Sequence, residues 1–169
     1  GTRNTAVGDT ALGDNTTGND NTAVGYLALR NNVDTGCTAV GSYALALSTG
    51  ANKCTALGAG TLYANTTGDN NTGVGSDALA ANTTAGDNTS VGAHTLQTNT
   101  TGASNSAFGQ ASLNLNTTGS NNTAYGQGSL RANTTGASNT AVGKQALAAN
   151  TTASGNTAVG KDALPNNTT

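Results

Sequence analysis

The groups able to do chemistry in this 169-residue chain are few, and most of them recur at one spacing. Cys37 and Cys54 stand 17 residues apart. The triplet Asn-Thr-Thr begins at Asn15, Asn65, Asn82, Asn99, Asn116, Asn133, Asn150 and Asn167. Each copy matches the Asn-x-Ser/Thr pattern that accepts an N-linked glycan. Asn and Thr are also ordinary turn and strand residues, so turn chemistry is the competing reading. His94 is the sole histidine, and all eight acidic residues are Asp. One His and no Glu leave no material for a metal cluster or a His-based triad. Gly58-Ala59-Gly60 is followed by no phosphate-loop lysine. The expectation is a protein that is not an enzyme, with no catalytic, cofactor-binding or metal-binding residues.

The elements that hold these groups announce themselves by repetition. Asn4-Thr5-Ala6-Val7-Gly8 returns with small edits along the whole chain. Its glycine falls at Gly8, Gly25, Gly41, Gly58, Gly75, Gly92, Gly109, Gly126, Gly143 and Gly160. The step is 17 residues everywhere except the 16 from Gly25 to Gly41. Residues 1–169 therefore read as a single tandem-repeat unit. With that glycine as position 0, position −1 is Val, Leu, Phe or Tyr, and position −3 is Thr or Ser. Position −2 is Ala except at Gly73 and Ser90, and position +4 is always Leu. Positions +1/+2, +5/+6 and +11/+12 vary in size and charge, which marks them as outward or as corners.

Hydrophobic residues make up 34% of the chain, charged residues 8%, and the net charge is −2. Low hydrophobicity without high net charge does not fit the disordered class. So small a charge gives no field for nucleic acid, and no apolar run is long enough to span a membrane. Gly, Asn and Thr are weak helix formers. Thr-Ala-Val bounded by Asn and Gly reads as a short strand, and strands this short need a partner above and below. The expected fold is all-β: a parallel β-solenoid, or β-roll, of ten 17-residue rungs. Rungs about 4.8 Å apart give a rod of roughly 45 Å. The −1 and +4 side chains are expected to point inward. The small residues at −2 and +3 leave two options open, a second burial surface or tight spots inside one coil.

Stacking places Cys37 and Cys54 at the same position, −4, of consecutive rungs, where the other eight repeats have Asn. A spacing of about 4.8 Å lies inside the Cα separation of a disulfide. A disulfide Cys37–Cys54 is expected, and with it an oxidising, extracellular setting.

Asn-Thr-Ala-Val-Gly-x-x-Ala-Leu-x-x-Asn-Thr-Thr-Gly resembles the repeats of bacteriophage tail fibres. It is also similar to the head repeats of trimeric autotransporter adhesins, whose Ser-x-Ala-Ile-Gly core corresponds to runs such as Asn139-Thr140-Ala141-Val142-Gly143. The resemblance implies a left-handed parallel β-roll, a homotrimer and a fibrous protein outside the cell or on a virion. The leading functional expectation is a structural component of such a fibre. Its partners would be copies of itself, as a homotrimer or an end-to-end filament, and a cell-surface glycan or host receptor. Two alternatives stand beside it. One is an extracellular fibril coated with glycans on its Asn-Thr-Thr column. The other is an ice-binding protein, which would need two outward Thr per rung on one flat face.

Overall fold

Each repeat opens with a three-residue strand, too short to stand without neighbours. The computed structural model describes residues 1–168. Its strands are β1 (Thr5–Val7), β2 (Thr22–Val24), β3 (Thr38–Val40), β4 (Thr55–Leu57), β5 (Thr72–Val74), β6 (Thr89–Val91), β7 (Ser106–Phe108), β8 (Thr123–Tyr125), β9 (Thr140–Val142) and β10 (Thr157–Val159). They form one parallel sheet in sequence order. Thr, Ala and Val of β1 lie against Thr, Ala and Val of β2, and this register holds up to β10. The one short repeat does not disturb it, because Thr22 still pairs with Thr38. The chain is therefore an all-β, parallel β-solenoid with one coil per repeat.

Hydrogen bonds tie each coil to its neighbours beyond the strands. In the fifth rung Thr72 N–H donates to the Asn88 carbonyl (2.8 Å), Gly75 N–H to Leu57 (2.7 Å) and Leu79 N–H to Thr95 (3.0 Å). The inward residues are Leu at +4 and Ala at −2. Leu29, Leu45, Leu62, Leu79, Leu96, Leu113, Leu130 and Leu147 are fully buried, and so are Ala23, Ala39, Ala56, Ala107, Ala124 and Ala141. This corrects the expected facing of the strand. Ala, not Val, points into the coil, while Thr at −3 and the large residue at −1 face out. The coil is narrow: one Leu stack and one Ala stack fill it. A β-branched or aromatic residue at −2 would find no room; even a methyl at Gly73 would come within 2.5 Å of Thr61 Cγ2.

The coil turns through left-handed backbone. Leu at +4 has φ between 46° and 54° in all ten repeats. The same region recurs two residues after the repeat glycine, as at Thr10, Asp77, His94 and Gln145, and one residue before position −4, as at Arg3, Lys53 and Ser138. Such a backbone costs a non-glycine residue roughly 1–2 kcal/mol. At Leu the buried side chain and the inter-rung bond from its N–H offset that cost. The repeat glycine has a stricter reason. Gly75 sits at φ +127°, and a Cβ there would lie 2.6 Å from the carbonyl carbon of Gly92 in the next coil. Gly8, Gly25, Gly41, Gly58, Gly92, Gly109, Gly126 and Gly143 meet the next glycine in the same way.

Candidate assembly face and the columns around it

Because a strand alternates its side chains, Thr at −3 and the residue at −1 emerge on the same outer face, two residues apart. Ten rungs in register turn them into two columns. The −3 column is a line of hydroxyls, and the −1 column is apolar throughout. Val7 is 57% exposed, Leu57 42%, Tyr125 60% and Val159 70%. Phe108 and Tyr125 stack on adjacent rungs, with ring centroids 5.6 Å apart. No charged residue occupies either column. A neutral, apolar and regularly spaced stripe on a parallel sheet is unusual for a surface that meets only water.

Inside the coil the Asn residues do the hydrogen bonding. From Asn65 on, position +7 forms a file in which the amide nitrogen of each later rung donates to the amide oxygen of the rung before. Asn82 Nδ2 reaches Asn65 Oδ1 (2.7 Å), Asn99 reaches Asn82 (2.9 Å), and Asn116, Asn133 and Asn150 continue at 2.8 Å each. The same nitrogens also donate to the carbonyl three residues on, as Asn116 does to Gly119 (2.9 Å). Position −4 makes a second file: Asn105 N–H and Nδ2 donate to Asn88 Oδ1 (3.0 and 3.2 Å), and Asn105 Nδ2 donates to the Gly119 carbonyl (2.9 Å).

These files correct the glycan-acceptor reading. Asn65, Asn82, Asn99, Asn116, Asn133 and Asn150 are completely buried, and the nitrogen a glycan would use is already committed, to the Gly68 carbonyl at Asn65 and to the ladder in the other five. At the ends, Asn15 is half-buried and bonds Gly18 through both amide atoms. Asn167 Nδ2 donates to Asn150 Oδ1 (3.1 Å). The Thr residues of the triplet divide. The first, as at Thr83 and Thr117, donates its hydroxyl to a carbonyl of the next rung (3.0 Å). The second is exposed at Thr17, Thr67, Thr84, Thr101, Thr118, Thr135 and Thr152. One Thr per rung, not two, emerges on the sheet face, which falls short of the lattice an ice-binding surface needs.

The cysteines stack as the repeat predicts, but both are free thiols, and buried. The expected disulfide is corrected to a thiol version of the Asn file. Cys37 Sγ donates to the Ala51 carbonyl (3.2 Å), and Cys54 Sγ donates to Gly68 (3.2 Å). Cys54 N–H in turn donates to Cys37 Sγ (3.4 Å). A thiol is a weak donor and a weak acceptor, and here it fills both amide roles poorly. Its hydrogen bond with Cys37, and then burial, push the Cys54 thiol far above its ordinary pKa.

The same region breaks the other file. Ser48 stands where position +7 would be Asn, and its hydroxyl donates to Asp34 Oδ2. Asp34 is buried, its Oδ1 has no partner, and neither has Asn32 Nδ2. Burial holds the Asp34 carboxyl above the usual carboxylate range, against the pull of its hydrogen bonds from Ser48 and the Ala51 backbone. Nothing in the sequence pattern pointed to Asp34, although it lies in the one repeat that is a residue short.

No protein-family model, no curated protein and no solved structure matches this chain. The surface therefore has to be read from its own geometry. Among the described residues no three His, Cys, Asp or Glu side chains gather as metal ligands, and no helix is long and apolar enough to cross a membrane.

The remaining relief lies on the opposite side of the repeat glycine from the sheet. Clefts open between the +2 corner and the +5/+6 columns. One of about 400 Å³ lies against Tyr43, Gly60, Tyr63 and Asp77. Above it Tyr26, Tyr43 and Tyr63 pack edge to face, with centroids 5.3 and 6.1 Å apart. A larger one, of about 550 Å³, runs along the sixth to ninth rungs and is walled by amides and cations. The sequence flagged these positions only as variable.

Proposed function

We propose that this chain is a section of a structural fibre displayed outside the cell or on a virion. Its rods associate side by side through the Thr–Val face of the sheet, and its role is mechanical rather than catalytic. The observation that carries this reading is the outward apolar −1 column. A residue type that belongs in a core stands outside the coil in every rung, with its neighbours in register.

The best partner for a face repeated at every rung is a face with the same repeat, which a second copy supplies. Ten strands with two outward side chains each present about 20 residues, close to the roughly 20–30 on one side of a standard interface. The face carries no charge to oppose self-association. A closed ring of copies would bury the stripe completely, and the resemblance to trimeric adhesin heads favours three.

Sedimentation velocity on the purified chain at tens of micromolar tests this. The wild-type chain should sediment as a discrete oligomer. Val74→Asp combined with Val142→Asp should yield folded monomers, because both side chains are outside the coil. A wild-type chain that sediments as a monomer would refute the reading.

A further inference from the structure

The cleft of about 550 Å³ lies away from the assembly face and has its own chemistry. Gln110, Gln127 and Gln145 line it on successive rungs, with Arg131 and Lys144 beside them. Gln127 Nε2 donates to Gln110 Oε1 (3.2 Å), so these two amides lie in a file along the rod axis. Asn114 Nδ2 extends the polar wall, donating to Gln97 Oε1 (3.2 Å). Among the described residues Arg131 and Lys144 have no ion-pair partner, and no carboxylate lines this cleft. In the +2 column the seventh and eighth rungs carry only Ala111 and Gly128, so the groove is open between the larger His94 and Gln145 of the sixth and ninth rungs. The neighbouring cleft of about 430 Å³ shares Gly128, Arg131 and Gln145 and has the carboxylate of Asp162 in its wall.

We infer that this groove is a binding site for an acidic oligosaccharide, held with its chain along the rod axis. Side-chain amides offer a donor and an acceptor together, which suits hydroxyls. Two unpaired cations suit carboxylate or sulfate groups. The rung repeat of about 4.8 Å is close to the length of one sugar ring, so successive rungs can meet successive sugars. A nucleic-acid strand is a poorer fit, since its bases stack on aromatic side chains and no Tyr, Phe or Trp lines this cleft. The inference goes beyond the structural reading and stands apart from it, because the groove and the Thr–Val face occupy different columns. A chain that assembles and binds no sugar, or binds sugar as a monomer, separates the two.

The test is calorimetric titration of the full chain with oligogalacturonate, a heparin-derived oligosaccharide and an α2,8-linked sialic acid oligomer. Neutral malto-oligosaccharide and oligo-dT serve as comparisons. At least one acidic sugar should bind, neutral sugar much more weakly, and Arg131→Gln with Lys144→Gln should weaken binding by roughly tenfold per cation lost. Gly128→Gln should abolish binding without changing charge. Gln is tolerated in that column, since Gln145 holds φ +57° one rung on, close to the +66° of Gly128. If Gly128→Gln fails to fold, the two cation variants still decide, because both side chains are on the surface. No binding of any acidic sugar, equal binding by all variants, or oligo-dT binding as tightly as the best sugar would overturn the assignment.

Discussion

At the scale of single residues, this protein is held by side-chain amides used as backbone would be. From Asn82 to Asn150, each buried Asn at +7 completes one bond to the rung before and one to its own turn. Removing one partner leaves others buried and unsatisfied, which costs about 1–3 kcal/mol per group. Asn116→Ala orphans Asn99 Oδ1, leaves the Gly119 carbonyl with Asn105 Nδ2 as its one side-chain donor, and leaves Asn133 Nδ2 with one acceptor fewer. We expect about 2–3 kcal/mol less stability, read from the urea midpoint. Asp34 gives a pH dependence of definite sign. Its folded pKa lies above its unfolded value, so its favourable contribution is complete below about pH 4 and is lost as pH rises through the raised pKa. Between pH 4 and 7 the urea midpoint should therefore fall with rising pH. Asp34→Asn should flatten that slope, and an unchanged slope in the variant would assign the dependence elsewhere. The thiols make a third case. Asn at both Cys37 and Cys54 restores the file seen at Asn88 and Asn105, and the double variant should melt higher than wild type by a few degrees, as expected for about 1–2 kcal/mol. Wild-type thiols should react with an alkylating reagent only on unfolding.

At the scale of elements, the strands, their parallel order and their register were legible in the sequence. The ten glycines and the ten leucines define them, and the stacking of Cys37 over Cys54 follows. Which face of Thr-Ala-Val turns inward is not legible from the strand alone, and the reason is physical. A three-residue strand has too little alternation to set its own phase, so the largest apolar residue looks like core. The corrective signal was present in residue size. Position −1 runs from Val7 to Phe108 and Tyr125, a range no narrow coil can accept. Position −2 never exceeds Ser90. Likewise Asn at +7 looked like a surface acceptor because Asn is usually exposed. Its lack of variation across rungs pointed to a buried file instead. The groove at Gly128 was not legible at all, since it arises from positions on neighbouring rungs that only the coil brings together. The sheet also sets a sharp expectation for its glycines. Gly75→Ala drives a methyl into the Gly92 carbonyl at a positive φ. It should destabilise by roughly 2–4 kcal/mol, whereas Gly155→Ala, with nothing within 4 Å of its Cβ, should cost only its backbone strain. Thermal melts of the pair make the comparison.

At the scale of the whole molecule, nearest-neighbour contacts are all there is. Each strand touches only the strands before and after it. Stability is then a sum of rung and interface contributions, and the second to fourth rungs are the weak terms. They hold both unsatisfied buried groups, both thiols and the buried carboxylate. Hydrogen exchange should show amides around Asn32–Ser48 opening before those around Asn99–Asn116. Uniform protection along the rod would contradict this.

The contact between repeat glycines has a consequence for how such a rod changes over generations. A coil seated on the next through a missing methyl cannot slip by a fraction of a turn. Length is therefore counted, not tuned: duplication or loss of one repeat moves whatever the rod carries by one fixed increment and leaves every remaining coil as it was. The protein is a ruler graduated by its own gene.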